Sequence, residues 1–417
     1  MWSPILEGEQ ASEAWRAIEE IEAALSRPEA LTSASSSPGD ATLANGTAGV
    51  ALFFAYLDAA RPGSTAGDVA LSLLSEAIDA LGEARLPVGL YGGFAGIGWV
   101  ADHLARHFYA ADDDLTLAIE EALAELLGRV DEVQPYELIG GLAGYGLALL
   151  ERRGKGRALE LLTALLSHLE KSAERGPEGC AWYHLAEWLP AAQRLLRPNG
   201  CYNLGVAHGI PGVLGLLAQA RAAGLDHPGL ADLADGTVAW LLAHRLPAEE
   251  DSAFPALILP GEALEPTRTA WCYGDLGIAA VLALAGRSFA RPEWVAEAVS
   301  LAGRASQRPP AGVGVVDACL CHGSAGNAHL FNRLYQVSGN PELLVAARHG
   351  FGEALASREP GKGVAGFEVW IGDRNDPRRS GEPGFLVGAA GIGLALLAAV
   401  SPLEPAWDQL LLASAPA

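Results

Sequence analysis

Basic residues are scarce in this chain: 28 Lys and Arg stand against 50 Asp and Glu in 417 residues, a formal net charge of −22. A surface that acidic repels phosphate backbones and anionic headgroups, which argues against nucleic acid and anionic membrane as partners and leaves a neutral or basic peptide open. Cysteine is also sparse. The five, at 180, 201, 272, 319 and 321, are an odd number without the spacing of a secreted disulfide framework, so a reducing compartment, the cytoplasm, is expected. The opening residues, Met-Trp-Ser-Pro-Ile-Leu-Glu-Gly-Glu, lack the basic stretch and apolar core of a signal peptide. Long apolar runs are missing too: the longest, Gly384 to Val400, has 17 residues with four glycines, short of a spanning helix and consistent with a buried one. No integral membrane protein is expected.

What the chain does have is glycine at a regular beat. Gly-x-x-Gly followed by an apolar stretch recurs at Gly46/Gly49, Gly93/Gly96, Gly141/Gly144, Gly209/Gly212, Gly274/Gly277, Gly323/Gly326 and Gly388/Gly391. Successive starts lie 47, 48, 68, 65, 49 and 65 residues apart, a unit near 48 with insertions. Periods of this size mark repeat architectures. One Gly-x-x-Gly would carry no information; seven in register with a helical pattern do.

Two kinds of helix alternate along the repeats. After each glycine pair the sequence is apolar nearly all round, as in Val50-Ala-Leu-Phe-Phe-Ala-Tyr-Leu57 and Leu276-Gly-Ile-Ala-Ala-Val-Leu-Ala-Leu284, which predicts burial on every side. Between the pairs the helices are amphipathic. Leu74, Ala77, Ile78 and Leu81 form one stripe with Glu76 and Asp79 outside it, and Ile119, Ala122, Leu123 and Leu126 form another with Glu120, Glu121 and Glu125 outside. Buried helices alternating with half-buried ones describe two nested rings. The predicted fold is all-α, a seven-repeat α/α toroid, in which residues 1–417 make one domain although the length alone would suggest two or three.

Two intervals are long because something is inserted. Residues 171–203 hold Gly176-Pro-Glu-Gly-Cys-Ala-Trp-Tyr-His184 and Pro198-Asn-Gly200, rich in turn formers and aromatics, and read as a small irregular extension. Before Gly388, Val364-Ala-Gly-Phe-Glu-Val-Trp-Ile371 is strand-like, and Gly372 to Gly381 is a polar loop read as a solvated connection in preference to a lid.

Chemistry concentrates at two of the glycine turns. Cys272 lies two residues before Gly274, and Cys321 and His322 immediately precede Gly323, so two thiols and an imidazole occupy equivalent points of two repeats. Those are side chains that Zn²⁺ prefers. Cys321 and His322 are neighbours, and only an irregular turn entering a helix can aim both at one ion. Three protein ligands leave one tetrahedral position open, the catalytic pattern. Packing alone would explain the same residues, since free Cys is commonly buried, and Cys319 offers a competing thiol. The register favours Cys321.

Arg268-Thr-Ala-Trp-Cys-Tyr-Gly274, Asn203-Leu-Gly-Val-Ala-His-Gly209, Cys321-His-Gly323 and Gly384-Phe-Leu-Val-Gly-Ala-Ala-Gly391 together resemble the signature of the lanthipeptide cyclases, the LanC-like family, in order and across nearly the whole chain. The resemblance implies an α/α toroid with a small extension, one Zn²⁺ on Cys272, Cys321 and His322, and closure of thioether rings by adding a peptide cysteine thiol to dehydroalanine or dehydrobutyrine. It further implies a dehydrated precursor peptide as substrate, with a dehydratase and an exporter as partners in a biosynthetic complex.

Site roles come from the same resemblance. His208 matches the family's acid, and Arg268 and Tyr273 match pocket residues that would steady enolate charge or the substrate backbone. Each has a structural alternative: His208 at a helix start would cap or pack, and the other two would brace the turn. Where the family commonly has Asp before the third repeat, this chain has Glu137, which keeps the carboxylate on a longer arm. Asp275 stands where the family frequently has Gly and reads as a helix cap.

Other function classes remain in view. Addition of a small thiol such as glutathione to dehydroamino acids would use the same zinc, and a zinc-stabilised peptide-binding scaffold would use it without turnover. A toroid glycosidase or prenyltransferase would need facing carboxylates or a diphosphate site, and neither occupies repeat-equivalent positions.

Overall fold

The computed structural model describes residues 2–31, 40–83, 85–110, 114–129, 134–371 and 378–416. Residues 372–377, most of the predicted polar loop, lie outside them. The described chain is mostly helical and falls into two compact units, Met1–Ile119 with Val315–Trp407 and Glu120–Gly314 with Asp408–Ala417.

The glycine pairs start helices. Gly46, Gly93, Gly141, Gly209, Gly274, Gly323 and Gly388 are each the residue before the first helical turn, and none has a side chain to cap it. The preceding loop folds back instead. The first helical N–H donates to the carbonyl six residues before the glycine: Thr47 to Asp40 (3.0 Å), Phe94 to Pro87 (3.0 Å), Leu142 to Pro135 (2.9 Å), Ser324 to Asp317 (2.9 Å) and Ala389 to Glu382 (2.8 Å). At these five helix starts one otherwise unpaired N–H is thereby satisfied by backbone alone.

This loop is also why the second glycine of each pair cannot be larger. A Cβ on Gly96 would sit 1.8 Å from the Leu90 carbonyl oxygen, and one on Gly391 would sit 1.9 Å from that of Phe385. The requirement is close approach rather than an unusual dihedral.

In the first unit the helices Thr47–Ala60, Phe94–His107, Ser324–Ser338 and Ala389–Val400 follow glycine pairs and are buried along most of their length. Thr47–Ala60 packs on Ala66–Glu83 and Ser324–Ser338 on Pro341–Ala356, each an amphipathic successor. Ala389–Val400 has no successor helix of that kind. Its partner is the first helix, Gly8–Leu25, and the indole N–H of Trp2 donates to the Ala398 carbonyl at 2.7 Å. The apolar run before Val400 is thus a core helix as predicted. No helix of the described residues is long and apolar enough to cross a membrane.

In the second unit Leu142–Glu151, Ile210–Ala222 and Asp275–Ser288 are the buried helices, packed on Ala158–Ser172, Leu230–Ala243 and Pro292–Ser306. The C-terminal residues belong here: Trp271 donates its indole N–H to Leu411 O (2.9 Å), and Gln219 Nε2 to Gln409 O (2.8 Å).

One expectation about burial is corrected. Glu120, placed on the solvent side of its helix by the apolar stripe, is 4 % exposed. Its Oε2 meets Arg152 Nε at 2.7 Å, and its Oε1 accepts from Arg157 N at 2.8 Å. A buried charge is tolerated when paired and hydrogen-bonded, which a hydrophobic pattern cannot foresee.

The 171–203 stretch holds the hairpin Glu174–Gly176/Gly179–Ala181 and the strands Tyr183–His184 and Cys201–Asn203. Cys201–Asn203 also pairs with Leu257–Ile258, so this small sheet recruits a strand from beyond the predicted boundary. Within the strand-like run before Gly388, Val369–Trp370 pairs with Arg379–Ser380.

Candidate functional site

The second unit gathers five of the residues that the sequence marks for chemistry. His208 and Tyr273 are each the last residue before a helix-starting glycine, Gly209 and Gly274. Their rings lie 6.2 Å apart, inclined by 28°. Gly205 makes this approach possible, because a Cβ there would meet the Tyr273 ring and the Cys272 carbonyl at 2.6 Å.

Glu137 supports His208 directly. Its Oε2 lies 2.9 Å from His208 Nδ1, and the carboxylate also accepts from Ile139 N (3.0 Å) and Gly140 N (2.6 Å). The longer arm is pinned within its own turn, so it reaches the imidazole in one orientation. An ionised carboxylate can only accept, so His208 carries a proton on Nδ1 and has Nε2 left for proton exchange with a bound molecule. The His208 side chain is 45 % exposed and that of Glu137 8 %.

The Tyr273 hydroxyl accepts from Asn203 Nδ2 at 3.1 Å, which keeps its own O–H to donate. Burial pushes its pKa up to about 12, with the Asn203 hydrogen bond working weakly the other way, so the phenol is protonated at neutral pH. Arg268 Nη2 stands 3.5 Å from Cys272 Sγ, a fixed positive charge beside the sulfur. Gly274 has φ 149° and ψ 168°, a region that essentially only glycine occupies, and is alone among the seven helix-starting glycines in this. The turn carrying Cys272 and Tyr273 is therefore shaped differently from its counterparts.

Asp275 is not a helix cap. Its fully buried carboxylate accepts from Ala253 N (2.8 Å) and Phe254 N (3.1 Å), tying a distant loop to the helix start. Burial raises its pKa, against the two backbone hydrogen bonds that lower it.

In the first unit Cys321 and His322 sit in the turn before Ser324–Ser338. Cys321 N donates to Leu386 O at 3.0 Å, and Cys319 is fully buried where Cys321 is partly exposed. His322 Nδ1 is buried without a hydrogen-bond partner, and its Nε2 lies 3.9 Å from Asp317 Oδ2. A buried nitrogen without a donor is a state that metal ligation resolves. Cys321 and His322 are side-chain types that could bind a metal ion, as is Cys272 of the second unit.

Sequence reasoning missed Asn203 and Asp317 as site residues, though a signal was there. Both stand six residues before a helix-starting glycine, as does Arg268. Asn203 Oδ1 accepts from Gly205 N (2.9 Å) and Asp317 Oδ1 from Cys319 N (3.0 Å), and Asp40 makes the same turn with Thr42 N (2.8 Å). A short polar side chain at that register shapes the loop that presents the two residues before the glycine.

The model of the family described as "Lanthionine synthetase C-like protein" matches residues 37–412. The chain belongs to the lanthionine synthetase C-like family. Among curated relatives, this LanC-like chain is 24 % identical over 317 residues to the nisin biosynthesis protein NisC of Lactococcus lactis subsp. lactis, covering 71 % of this chain and 75 % of that one. It is 25 % identical over 380 residues to the glutathione S-transferase LANCL1 of Danio rerio, covering 84 % and 86 %. Among solved structures, nisin cyclase superposes with a TM-score of 0.74 over 96 % of this chain and 97 % of that one, at 19 % identity. That likeness establishes the fold of this LanC-like protein, an all-α α/α toroid, as the alternating buried and half-buried helices predicted.

Proposed function

We propose that this protein is a zinc-dependent cyclase that adds cysteine thiols of a dehydrated precursor peptide to dehydroalanine or dehydrobutyrine, forming lanthionine and methyllanthionine rings. The observation that carries the reading is the His208–Glu137 pair at 2.9 Å, stacked beside Tyr273, whose neighbour is Cys272. Family membership supplies the reaction class.

Cys272, Cys321 and His322 would hold the zinc. Bound there, Zn²⁺ would make a substrate thiol more acidic, since at its free pKa of roughly 8.5 it is mostly protonated at neutral pH. The remaining chemistry falls to the chain's own side chains. Attack of the thiolate at the β-carbon forms the C–S bond and pushes the electron pair onto the carbonyl, giving an enolate. The Tyr273 hydroxyl and the Arg268 guanidinium are donors suited to that oxygen. His208, protonated by the departing thiol proton, returns it from Nε2 to the α-carbon and restores the carbonyl. Glu137 holds the imidazole through Nδ1 during the transfer. A dehydratase that makes the unsaturated residues, an exporter, and a cytoplasmic setting complete the proposal.

A second reading, glutathione addition to dehydroamino acids, is favoured by the similarity to LANCL1. Both readings use the same residues and differ in whose thiol adds. The test is incubation with a dehydrated, cysteine-containing peptide, then thiol alkylation and mass spectrometry. Ring closure leaves the mass unchanged and removes alkylatable thiols without glutathione. Adducts that form only with glutathione present would replace the first reading with the second, and neither outcome in metal-replete protein would leave a peptide-binding scaffold.

A further inference from the structure

His322 offers two nitrogens, and a metal can use only the one turned toward it. We propose that Asp317 is the positioning residue that settles this choice: it keeps the His322 Nε2–H directed at its carboxylate and so presents Nδ1 as the ligating nitrogen. The inference rests on the zinc reading above and concerns residues of the first unit alone.

Three observations carry it. The Asp317 side chain is completely buried and its Oδ2 is 3.9 Å from His322 Nε2, about 1 Å beyond hydrogen-bond contact. The other nitrogen, Nδ1, is buried and has no hydrogen-bond partner, so it is the one awaiting a ligand. Finally, Asp317 is itself immobilised: Oδ1 accepts from Cys319 N (3.0 Å), Oδ2 from Trp370 N (2.9 Å), and its backbone carbonyl from Ser324 N (2.9 Å). The hairpin that supplies the Trp370 N–H is tied to the same turn by Arg379 Nη2, which donates to Val316 O at 2.8 Å. A carboxylate fixed from both sides can orient a ring; one free to swing cannot.

A ligating role for Asp317 is the competing possibility, because its carboxylate, the Cys319 thiol and a His322 nitrogen all lie within 4.8 Å of one another. Against it, both Asp317 oxygens already accept backbone N–H groups, which pin the carboxylate in its own turn and leave it less free to swing onto an ion. An orienting carboxylate behind a metal-bound histidine is a common arrangement, fixing the tautomer and raising the basicity of the nitrogen that binds.

The experiment uses the full chain, apo and zinc-loaded. In apo protein with ¹⁵N-labelled histidine, long-range ¹H–¹⁵N correlation, with the His322 signals assigned by their loss in His322→Ala, should show His322 as the Nε2–H tautomer. Finding Nδ1–H in the wild type would overturn the inference without any variant at position 317. Asp317→Asn should release that tautomer preference and weaken zinc about 10- to 100-fold in a chelator competition, with helical circular dichroism retained. Unchanged affinity with an unchanged tautomer in this variant would also overturn it. Cys319→Ala should bind zinc as the wild type does; loss of zinc there would move the ion to the Asp317–Cys319–His322 set and make Asp317 a ligand. Wild-type protein that binds no zinc would instead refute the metal reading itself, a result separate from the tautomer measurement.

Discussion

Glu137 and His208 meet at 2.9 Å although 71 residues separate them in the chain, and the carboxylate that makes this contact is held by two backbone N–H groups of its own turn. What reaches the imidazole is a carboxylate in a fixed place, which is all an orienting group must supply.

His208→Asn should therefore keep zinc and peptide binding and slow ring closure by about 10²–10⁴-fold, the usual contribution of a general acid–base group. Glu137→Gln should slow it less. It should also lower the melting temperature slightly, because an amide offers one acceptor oxygen where the carboxylate serves Ile139 N, Gly140 N and His208. Rates with a dehydrated peptide and thermal denaturation of both variants check this; near-normal closure by metal-replete His208→Asn would assign the proton to Tyr273, Arg268 or water.

Zinc content should separate the cysteines. Cys272→Ala, Cys321→Ala and His322→Ala should each lower bound zinc below one per chain, whereas Cys180→Ala, Cys201→Ala and Cys319→Ala should leave it stoichiometric. The apo protein should remain helical, since a core of this size does not depend on one ion as a zinc finger does. Elemental analysis and far-ultraviolet circular dichroism give both answers, and unfolding on chelation would mark a structural site.

Glycine substitutions should divide by the space around them. Gly391→Ala would push a methyl to 1.9 Å from the Phe385 carbonyl and should abolish soluble, folded protein. Gly82→Ala, in an exposed position of Ala66–Glu83 with nothing within 4 Å of the new Cβ, should raise stability by about 0.5–1 kcal/mol. Expression yield and denaturant midpoints distinguish the two.

Strong alkali should destabilise the fold through its tyrosines. Burial pushes Tyr145 and Tyr273 up to about 12, from an ordinary 10. Their folded pKa values exceed the unfolded ones, so the folded state holds protons that the unfolded chain has lost. The stability they contribute is present below pH 10 and lost as pH rises toward 12. Tyrosinate absorbance followed against circular dichroism should show these phenols ionising together with unfolding; early ionisation in intact protein would contradict the shift.

Much of this molecule was legible without coordinates. The seven glycine pairs, the alternation of fully and half-apolar helices, and the placement of Cys272, Cys321, His322 and His208 within two residues of a glycine are local features. A close backbone turn demands glycine, and a helix buried all round demands apolar residues, wherever they occur. Tertiary structure decided the rest. Glu120 reads as solvent-facing until Arg152 is brought to its carboxylate, and Asp275 reads as a cap until the loop at Ala253 and Phe254 is laid against it. Asp317 gains its significance only when His322 and Trp370 are seen around it, and the first helix acquires a partner only when Ala389–Val400 is found beside it. In each case a polar or apolar surface was completed by a partner far away in sequence, and periodicity along the chain records a residue's own preference, not which distant group arrives to satisfy it.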